Sequence, residues 1–305
     1  MSIAIVIPAY KDTFLTETLE SISNQTDKDF TLYIGDDNSP YQLLDIVNKY
    51  KEKINIKYTR FNDNLGGNNL VSQWERCIAL VDNEEWIWLF SDDDYMPPQC
   101  IETFKKELSK NKHYDLYRFN VEVINRERKV IKKVIYPNLL SSLSLYKGKV
   151  LGKLDCYVVE YIFSRKIYKE QGGFIPFDLA WGSDLATWVK YGMNNKIKTI
   201  AYPHISWRSS GENISTIESE KIVCRKLHAL ISFLKWGEIY FKEHNEKVST
   251  INDIGFIKRI TYYSTFIPIK TSLSFINQYA SGYFHYLLLS LFFGVGYILK
   301  RIIRY

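Results

Sequence analysis

WIWLFSDDDYMPP, residues 86–98, sets an apolar run directly against three consecutive aspartates. The run is short, continuous and apolar, and EWIWLFS reads as a buried strand. Asp92, Asp93 and Asp94 then stand at its carboxyl end. Like charges held so close repel, and each loses hydration beside a core. A divalent cation bound through carboxylate oxygens would compensate them, and so would the N-terminus of a following helix. Pro97 and Pro98 suit the first turn of such a helix, running to about Lys110. A helix cap needs one acid rather than three, which favours the cation.

Upstream, IAIVI (residues 3–7) reads as a fully buried strand that PAYKD breaks. TFLTETLESISNQ places Phe14, Leu15, Leu19 and Ile22 on one helical face. FTLYIGDDNSP is a second strand ending in an acidic turn, YQLLDIVNKYKEK a helix, and INIKYTRF a third strand. NDNLGGNNL is a glycine-bearing loop that opens a helix through Ala79. The order β-α-β-α-β-α-β predicts an α/β protein with a mostly parallel sheet wound with helices. Ligands bind such sheets at the carboxyl ends of strands. Asp36 and Asp37 follow the second strand, and Asp92 to Asp94 follow the fourth, so both acidic clusters lie at that edge.

After residue 113 the pattern changes. YDLYRFNVEVINRERKVIKKVIY alternates as antiparallel strands do, and CYVVEYIFS reads as another strand before a short helix. SDLATWVKYG is helical, and IKTIAYPHISWRSS reads as paired edge strands. From Glu218 the chain turns helical, as an amphipathic brace. The tail from Thr271 holds no carboxylate and a single histidine, His285. Its apolar run from Tyr283 to Leu299, closed by Lys300, Arg301 and Arg304, is slightly short for a spanning helix. It suits an interfacial helix on an anionic leaflet or a helix buried against protein.

With 305 residues, 46% of them hydrophobic and 24% charged, the chain can bury a sizeable core and is not disordered. A formal charge of +6 fits an anionic ligand or membrane surface and is too weak to argue for nucleic acid. Cysteines 77, 100, 156 and 224 stand far apart, without the spacing of a zinc site or a disulfide framework. The start MSIAIVIPAY lacks the pattern of a secretory signal. A reducing cytoplasm is the expected compartment, with peripheral attachment to the inner face of the plasma membrane through residues 283–304.

IAIVIPAYKD, YIGDDNS, NDNLGGNN, FSDDD and GSDLATW resemble, in order and approximate spacing, the motifs of the family 2 glycosyltransferases. The resemblance covers residues 1 to about 215. It implies the GT-A fold, a nucleotide-binding α/β half joined to a mixed acceptor half, and transfer of a sugar from a nucleotide donor to an acceptor hydroxyl with inversion. By that resemblance Asp93 is the metal ligand, for Mn²⁺ or Mg²⁺, and Asp92 faces the ribose. Asp94 hydrogen-bonds the next helix or assists the metal. Pro8, Ala9 and Tyr10 lie along the base, and Asp37 accepts from a ring N–H such as uracil N3, which favours UDP. From its residues alone, DDNSP is an ordinary Asx-turn. Gly66 lets the backbone approach the donor or simply makes the turn. Asp184 is the expected base that takes the acceptor proton. Ser183 stands where the family usually has glutamate, and either residue would also cap a helix. Trp181 stacks on the acceptor sugar or plugs the core. Arg208, which family members often carry with a downstream serine, is expected at the diphosphate, whereas His204 reads more readily as a strand histidine.

The expected organisation is a glycosyltransferase domain over residues 1–215, divided into a nucleotide-sugar half (1–112) and an acceptor half (113–215). A helical C-terminal extension covers 216–305. The expected partners are a nucleotide-sugar and a glycan or lipid-linked glycan acceptor, as in bacterial surface polysaccharide assembly. A sugar-1-phosphate nucleotidyltransferase is the alternative enzyme class, although PAYKDTF lacks the glycine-rich loop a triphosphate needs. A non-catalytic nucleotide-sugar-binding relative is the other alternative.

Overall fold

A computed structural model describes residues 2–110 and 113–303. Arg304, part of the expected membrane contact, and residues 111 and 112, at the expected boundary between halves, lie outside the described residues. The first half alternates as expected: β1 (Ile3–Ala9), α1 (Leu15–Ser23), β2 (Thr31–Asp36), α2 (Leu43–Asn48), β3 (Asn55–Arg60), α3 (Leu70–Ile78), β4 (Trp86–Leu89) and α4 (Cys100–Lys110). Next come β5 (Leu116–Ile124), β6 (Val130–Val134), β7 (Leu139–Leu140), α5 (Ser142–Val150), β8 (Tyr161–Ser164), α6 (Arg165–Gln171), α7 (Ser183–Tyr191) and β9 (Ile197–Arg208). Four helices close the chain: α8 (Glu220–Glu243), α9 (Ser249–Tyr263), α10 (Ile269–Tyr279) and α11 (Tyr283–Ile303).

One mixed sheet runs in the order β3-β2-β1-β4-β8-β5-β9-β7, with β6 paired to β5. β1 pairs in parallel with β2 on one side and β4 on the other. The chain winds outward from β1 through β2 to β3 and then crosses back to β4 on the other side of β1, so the crevice between the carboxyl ends of β1 and β4 is the topological switch point. β1 and β4 are covered on both faces, which is why their sequences are continuous apolar runs.

Four sequence expectations change. Pro97 and Pro98 precede α4 instead of starting it. Gln25 supplies the reason: its amide donates to the Pro97 carbonyl at 2.8 Å and accepts from Ile101 N at 3.2 Å, which holds the lead-in turn. Only Tyr161–Ser164 of CYVVEYIFS is strand; Val158–Glu160 is a 3₁₀ turn whose Val159 carbonyl accepts from the Trp88 indole at 2.8 Å. IKTIAYPHISWR is a single twelve-residue strand, parallel to β5 and antiparallel to β7, instead of paired edge strands. Its register on β5 shifts between Phe119 and Val121, and Asn120 bridges the break by donating to Ala201 O at 2.9 Å. The helix start near Ser183 has Gly182, not Ser183 or Asp184, at the capping position.

α8 buries Val223, Leu227, Ile231, Leu234 and Phe241 at helical spacing against the sheet-bearing body, as an amphipathic brace should. α11 lies on α9 through buried Leu289 and Phe293, while Lys300 donates to the Thr261 and Tyr262 carbonyls. Tyr283–Ile302 is the one helix among the described residues long and apolar enough to cross a membrane.

Candidate active site

A cavity of about 710 Å³ opens at the switch point. One end is the acidic edge of the sheet. The side chain of Asp92 reaches under the turn after β1, where Oδ2 accepts from the backbone N–H of Tyr10 and of Lys11, each at 2.9 Å. Asp93 is buried and accepts from Ser91 Oγ at 2.9 Å and, more weakly, from Ser210 Oγ at 3.4 Å. Burial and the charge of Asp93 push Asp92 up to about 6, and burial also raises Asp93. Asp94 is also pushed well up, by burial and then by Asp93. Its Oδ1 accepts from Arg208 N at 2.6 Å and its Oδ2 is buried without a partner. Asp94 thus clamps β9, not the following helix.

Arg208 overturns an expectation. It is fully buried beneath the cluster, donating to the carbonyls of Asp93 (2.7 Å) and Arg126 (2.8 Å) and pairing with Glu17 at 2.9 Å. Its guanidinium has no path to a diphosphate in the cavity and acts as the positive floor under three carboxylates. His204 lies on β9 beside Glu122, away from the cavity.

Asp36 and Asp37 divide their work. Asp36 is fully buried and braces the turn, accepting from Ser39 N at 2.7 Å and from Tyr58 and Arg60. Asp37 lines the cavity and holds the glycine loop: Oδ1 accepts from Leu65 N and Arg76, and Oδ2 from Gly66 N at 2.8 Å. A Cβ on Gly66 would fall 2.6 Å from that same Oδ2, so only glycine lets the loop close on Asp37. Pro8, Ala9 and Tyr10 line the same end.

Asp184 and Trp181 line the other end of the cavity. Gly182 has φ +91°, and the two residues before Trp181, Leu179 and Ala180, also have positive φ of 58° and 54°. Such backbone is costly for residues with a Cβ and persists only when its surroundings fix it. Here Asp178 pairs with Arg225 of α8 at 2.6 Å, and Ser183 Oγ accepts from Phe177 N at 2.8 Å. Ser183 therefore ties the loop instead of facing the cavity. Burial raises Asp184, with Lys149 and the Leu185 N–H pulling it back. Trp181 covers Lys226, whose ammonium is 4.7 Å from the ring.

Sequence reasoning missed the rest of this end. Lys149 and Val150 come from α5, Leu230, Phe233 and Leu234 from α8, and Gly255 and Arg259 from α9. α8 and α9 are ordinary amphipathic helices and α5 has almost no apolar face of its own, and no motif marks any of these residues. Ser210 had a signal, as the serine downstream of Arg208. Among the described residues no three His, Cys, Asp or Glu side chains meet where a metal ion could sit. The donor set accordingly fits a hard cation that takes one or two protein carboxylates, as Mg²⁺ commonly does with substrate phosphates, and does not fit an all-protein cage.

Residues 4–171 match the family model described as glycosyl transferase family 2. The chain is 24% identical over 224 residues to the poly(ribitol-phosphate) β-N-acetylglucosaminyltransferase TarS of Staphylococcus aureus strain Mu50. That match takes in 71% of this chain and 37% of TarS. A shorter stretch of 105 residues is 33% identical to a poly(ribitol-phosphate) β-glucosyltransferase of Bacillus spizizenii, and takes in 33% of this chain and 16% of that one. The chain thus spans little more than a third of these relatives at most. The crystal structure of S. aureus TarS 1-349 with UDP-GlcNAc superposes with TM-score 0.59 at 16% identity, covering 97% of this chain and 89% of that one. A mannosyltransferase of Pyrobaculum calidifontis, solved with GDP-Man and Mn²⁺, gives 0.53 at 14%, covering 95% and 78%. The shared architecture is the GT-A-type α/β fold.

Proposed function

This chain belongs to glycosyl transferase family 2, and from that premise we propose that it moves a sugar from a UDP-linked donor to a hydroxyl of a bacterial surface polymer, with inversion. The observation that carries this reading is one cavity with Asp92 and Asp93 at its sheet end and Asp184 at its helical end. Pro8, Ala9 and Tyr10 lie along the base. Among the described residues Asp37 Oδ2 accepts only from Gly66 N, which leaves a lone pair for a ring N–H such as uracil N3. Asp93, with Asp92 beside it, would hold Mn²⁺ or Mg²⁺; when bound, the cation supplies Lewis-acid stabilisation to the departing diphosphate. Asp184 takes the proton of the acceptor hydroxyl as its oxygen bonds the anomeric carbon and the bond to the diphosphate breaks. A carboxylate raised by burial is the stronger base for that step. Trp181 offers a face for the acceptor sugar. The names of the relatives support an acceptor of the polyol-phosphate, teichoic-acid kind. Calorimetric titration of UDP, GDP and dTDP, with Mn²⁺ and with EDTA, tests the donor site. UDP binding that needs the metal and vanishes in Asp93→Ala is the expected result. No binding of any nucleotide to a folded protein would reduce the cluster to a structural cap and end this reading.

The C-terminal helix favours work at the cytoplasmic face of a membrane. Phe284, Leu288, Leu291, Val295, Ile298 and Ile302 form one exposed stripe along α11, opposite the face that packs on α9. From residue 254 onward the chain carries Lys258, Arg259, Lys270, Lys300, Arg301 and Arg304 and no acid, which equals the whole formal charge of +6. With Arg259 turned to the cavity, the five remaining cations of that segment complement an anionic bilayer, whereas a second copy would bring like charge to it. With one face held by α9, the helix lies in the interface instead of crossing it. Co-sedimentation with phosphatidylglycerol vesicles but not phosphatidylcholine vesicles, abolished by Leu291→Glu with Ile298→Glu, is expected. Lipid-free dimers lost in the same variant would assign the stripe to a second copy.

A further inference from the structure

We infer that the helical end of the cavity contains an anion site, Lys149 with Arg259, that holds a phosphate ester of the acceptor. The inference rests on the glycosyltransferase reading and extends it to the substrate's charge. Both side chains are half-buried and line the cavity that holds Asp184. Among the described residues neither makes a side-chain hydrogen bond or an ion pair.

The two come together for a physical reason. α5 and α9 cross at Val150 and Gly255, so closely that a Cβ on Gly255 would lie 2.8 Å from the Val150 carbonyl. Lys149 is the neighbour of Val150. Arg259 stands one turn beyond Gly255 on the same face of α9. The crossing therefore brings one cation from each helix to the lining of the same cavity.

The surroundings make unpaired cations there costly. Leu230, Phe233 and Leu234 of α8 form the adjacent wall, and a cation beside apolar surface without an ion-pair partner recovers only part of the hydration it loses. The carboxyl end of α5 offsets part of this for Lys149, which lies in its last turn. It does nothing for Arg259, which lies before the last turn of α9. Asp155, another carboxylate lining the cavity, is taken by Lys132. Asp184 and the buried Glu160 feel the charge of Lys149 through space, but among the described residues neither forms an ion pair with Lys149 or Arg259. A guanidinium and an ammonium lining one cavity are a pairing that phosphate oxygens satisfy, the Arg bidentately and the Lys as a point charge. A polyol-phosphate chain and the diphosphate of a lipid-linked acceptor both present that chemistry.

The test titrates three probes into the wild type, Lys149→Gln, Arg259→Gln and Arg259→Lys. The probes are a short synthetic ribitol phosphodiester oligomer, a short-chain isoprenyl diphosphate in detergent, and neutral ribitol. UDP with Mn²⁺ is titrated alongside. One anionic probe should bind the wild type and weaken at least tenfold in each Gln variant, with partial recovery in Arg259→Lys, while UDP binding and the melting temperature hold. Loss for the oligomer assigns the site to the polymer, and loss for the isoprenyl diphosphate assigns it to the lipid anchor. Equal binding of the anions by all variants, or binding of neither by a wild type that binds UDP, overturns the anion site and leaves the donor reading standing. Anion binding without UDP binding would instead sink the donor reading.

Discussion

At the sheet end of the cavity, Asp37, Asp92 and Asp93 sit on strand ends with backbone N–H groups and hydroxyls already on their oxygens. At the helical end, Asp184 and Trp181 sit on a turn of left-handed residues, walled by helices contributed much later in the chain. The sheet end is held by local strand geometry and the helical end by tertiary packing. If the two are independent as built, damage to one should leave the other's ligand untouched. The largest break is Asp184→Asn. Turnover should fall about 10²–10⁴-fold, the usual worth of a general base, while calorimetry finds UDP affinity within about twofold. Intact turnover would remove Asp184 from the chemistry.

The same contrast explains what was legible. The strands of the first half and both acidic clusters could be read because each is contiguous: an apolar run, then its acids, within WIWLFSDDD or YIGDDNS. Asp37 and Asp92 needed no knowledge of distant chain. Arg208 was misread because a lone arginine after a strand looks alike whether it points to solvent or into the body; its burial depends on Glu17 and the Asp93 carbonyl, far away in sequence. Phe233 and Arg259 were invisible because helix periodicity says which face is apolar, not which cavity it borders, and Lys149 because α5 has almost no apolar face to read. IKTIAYPHISWRSS reads as two strands instead of one, since the bridging role of Asn120 at the register break has no local signature.

Two glycines offer a matched pair. Gly66→Ala sets a Cβ 2.6 Å from Asp37 Oδ2 and should cut donor affinity without changing acceptor KM. Gly182→Ala demands the left-handed region, a cost of about 1–2 kcal/mol, and sets its Cβ 3.2 Å from Phe233 Cγ. Urea unfolding should show a loss of about 1–3 kcal/mol, with kcat reduced and donor affinity kept. Equal damage to both ligands in either variant would mean the ends are mechanically joined.

A change of pH should act on the sheet end first. Asp92 is pushed up to about 6 in the cation-free protein by burial and by Asp93. A cation-bearing donor needs the ionised cluster, so its Kd should be flat above that value and rise about tenfold per pH unit below it for one proton taken up. The same raised value means that the stability Asp92 lends the cation-free fold is present at low pH and is lost as pH rises through about 6. Asp92→Asn should therefore bind donor poorly and melt higher than wild type near neutral pH without metal. A Kd independent of pH across this range would place the cation elsewhere.

The smallest effect tests how local the sheet end is. Asn69 caps α3, its Oδ1 accepting from Ser72 N at 3.0 Å. Leu70 and Gln73 in that first turn line the cavity, and Arg76 one turn later grips Asp37. Removing the cap in Asn69→Ala costs about 1 kcal/mol of stability, and Asn69→Gly only a few tenths. Fraying of this turn loosens Gln73 before Arg76, so donor Kd should rise a few-fold at most. The acceptor KM should not move, because α3 meets the helical end through the buried face that packs on the Asp178–Ala180 turn. A shift in acceptor KM would show that this packing transmits strain, and that the two ends of the cavity, though built by different means, are tuned together.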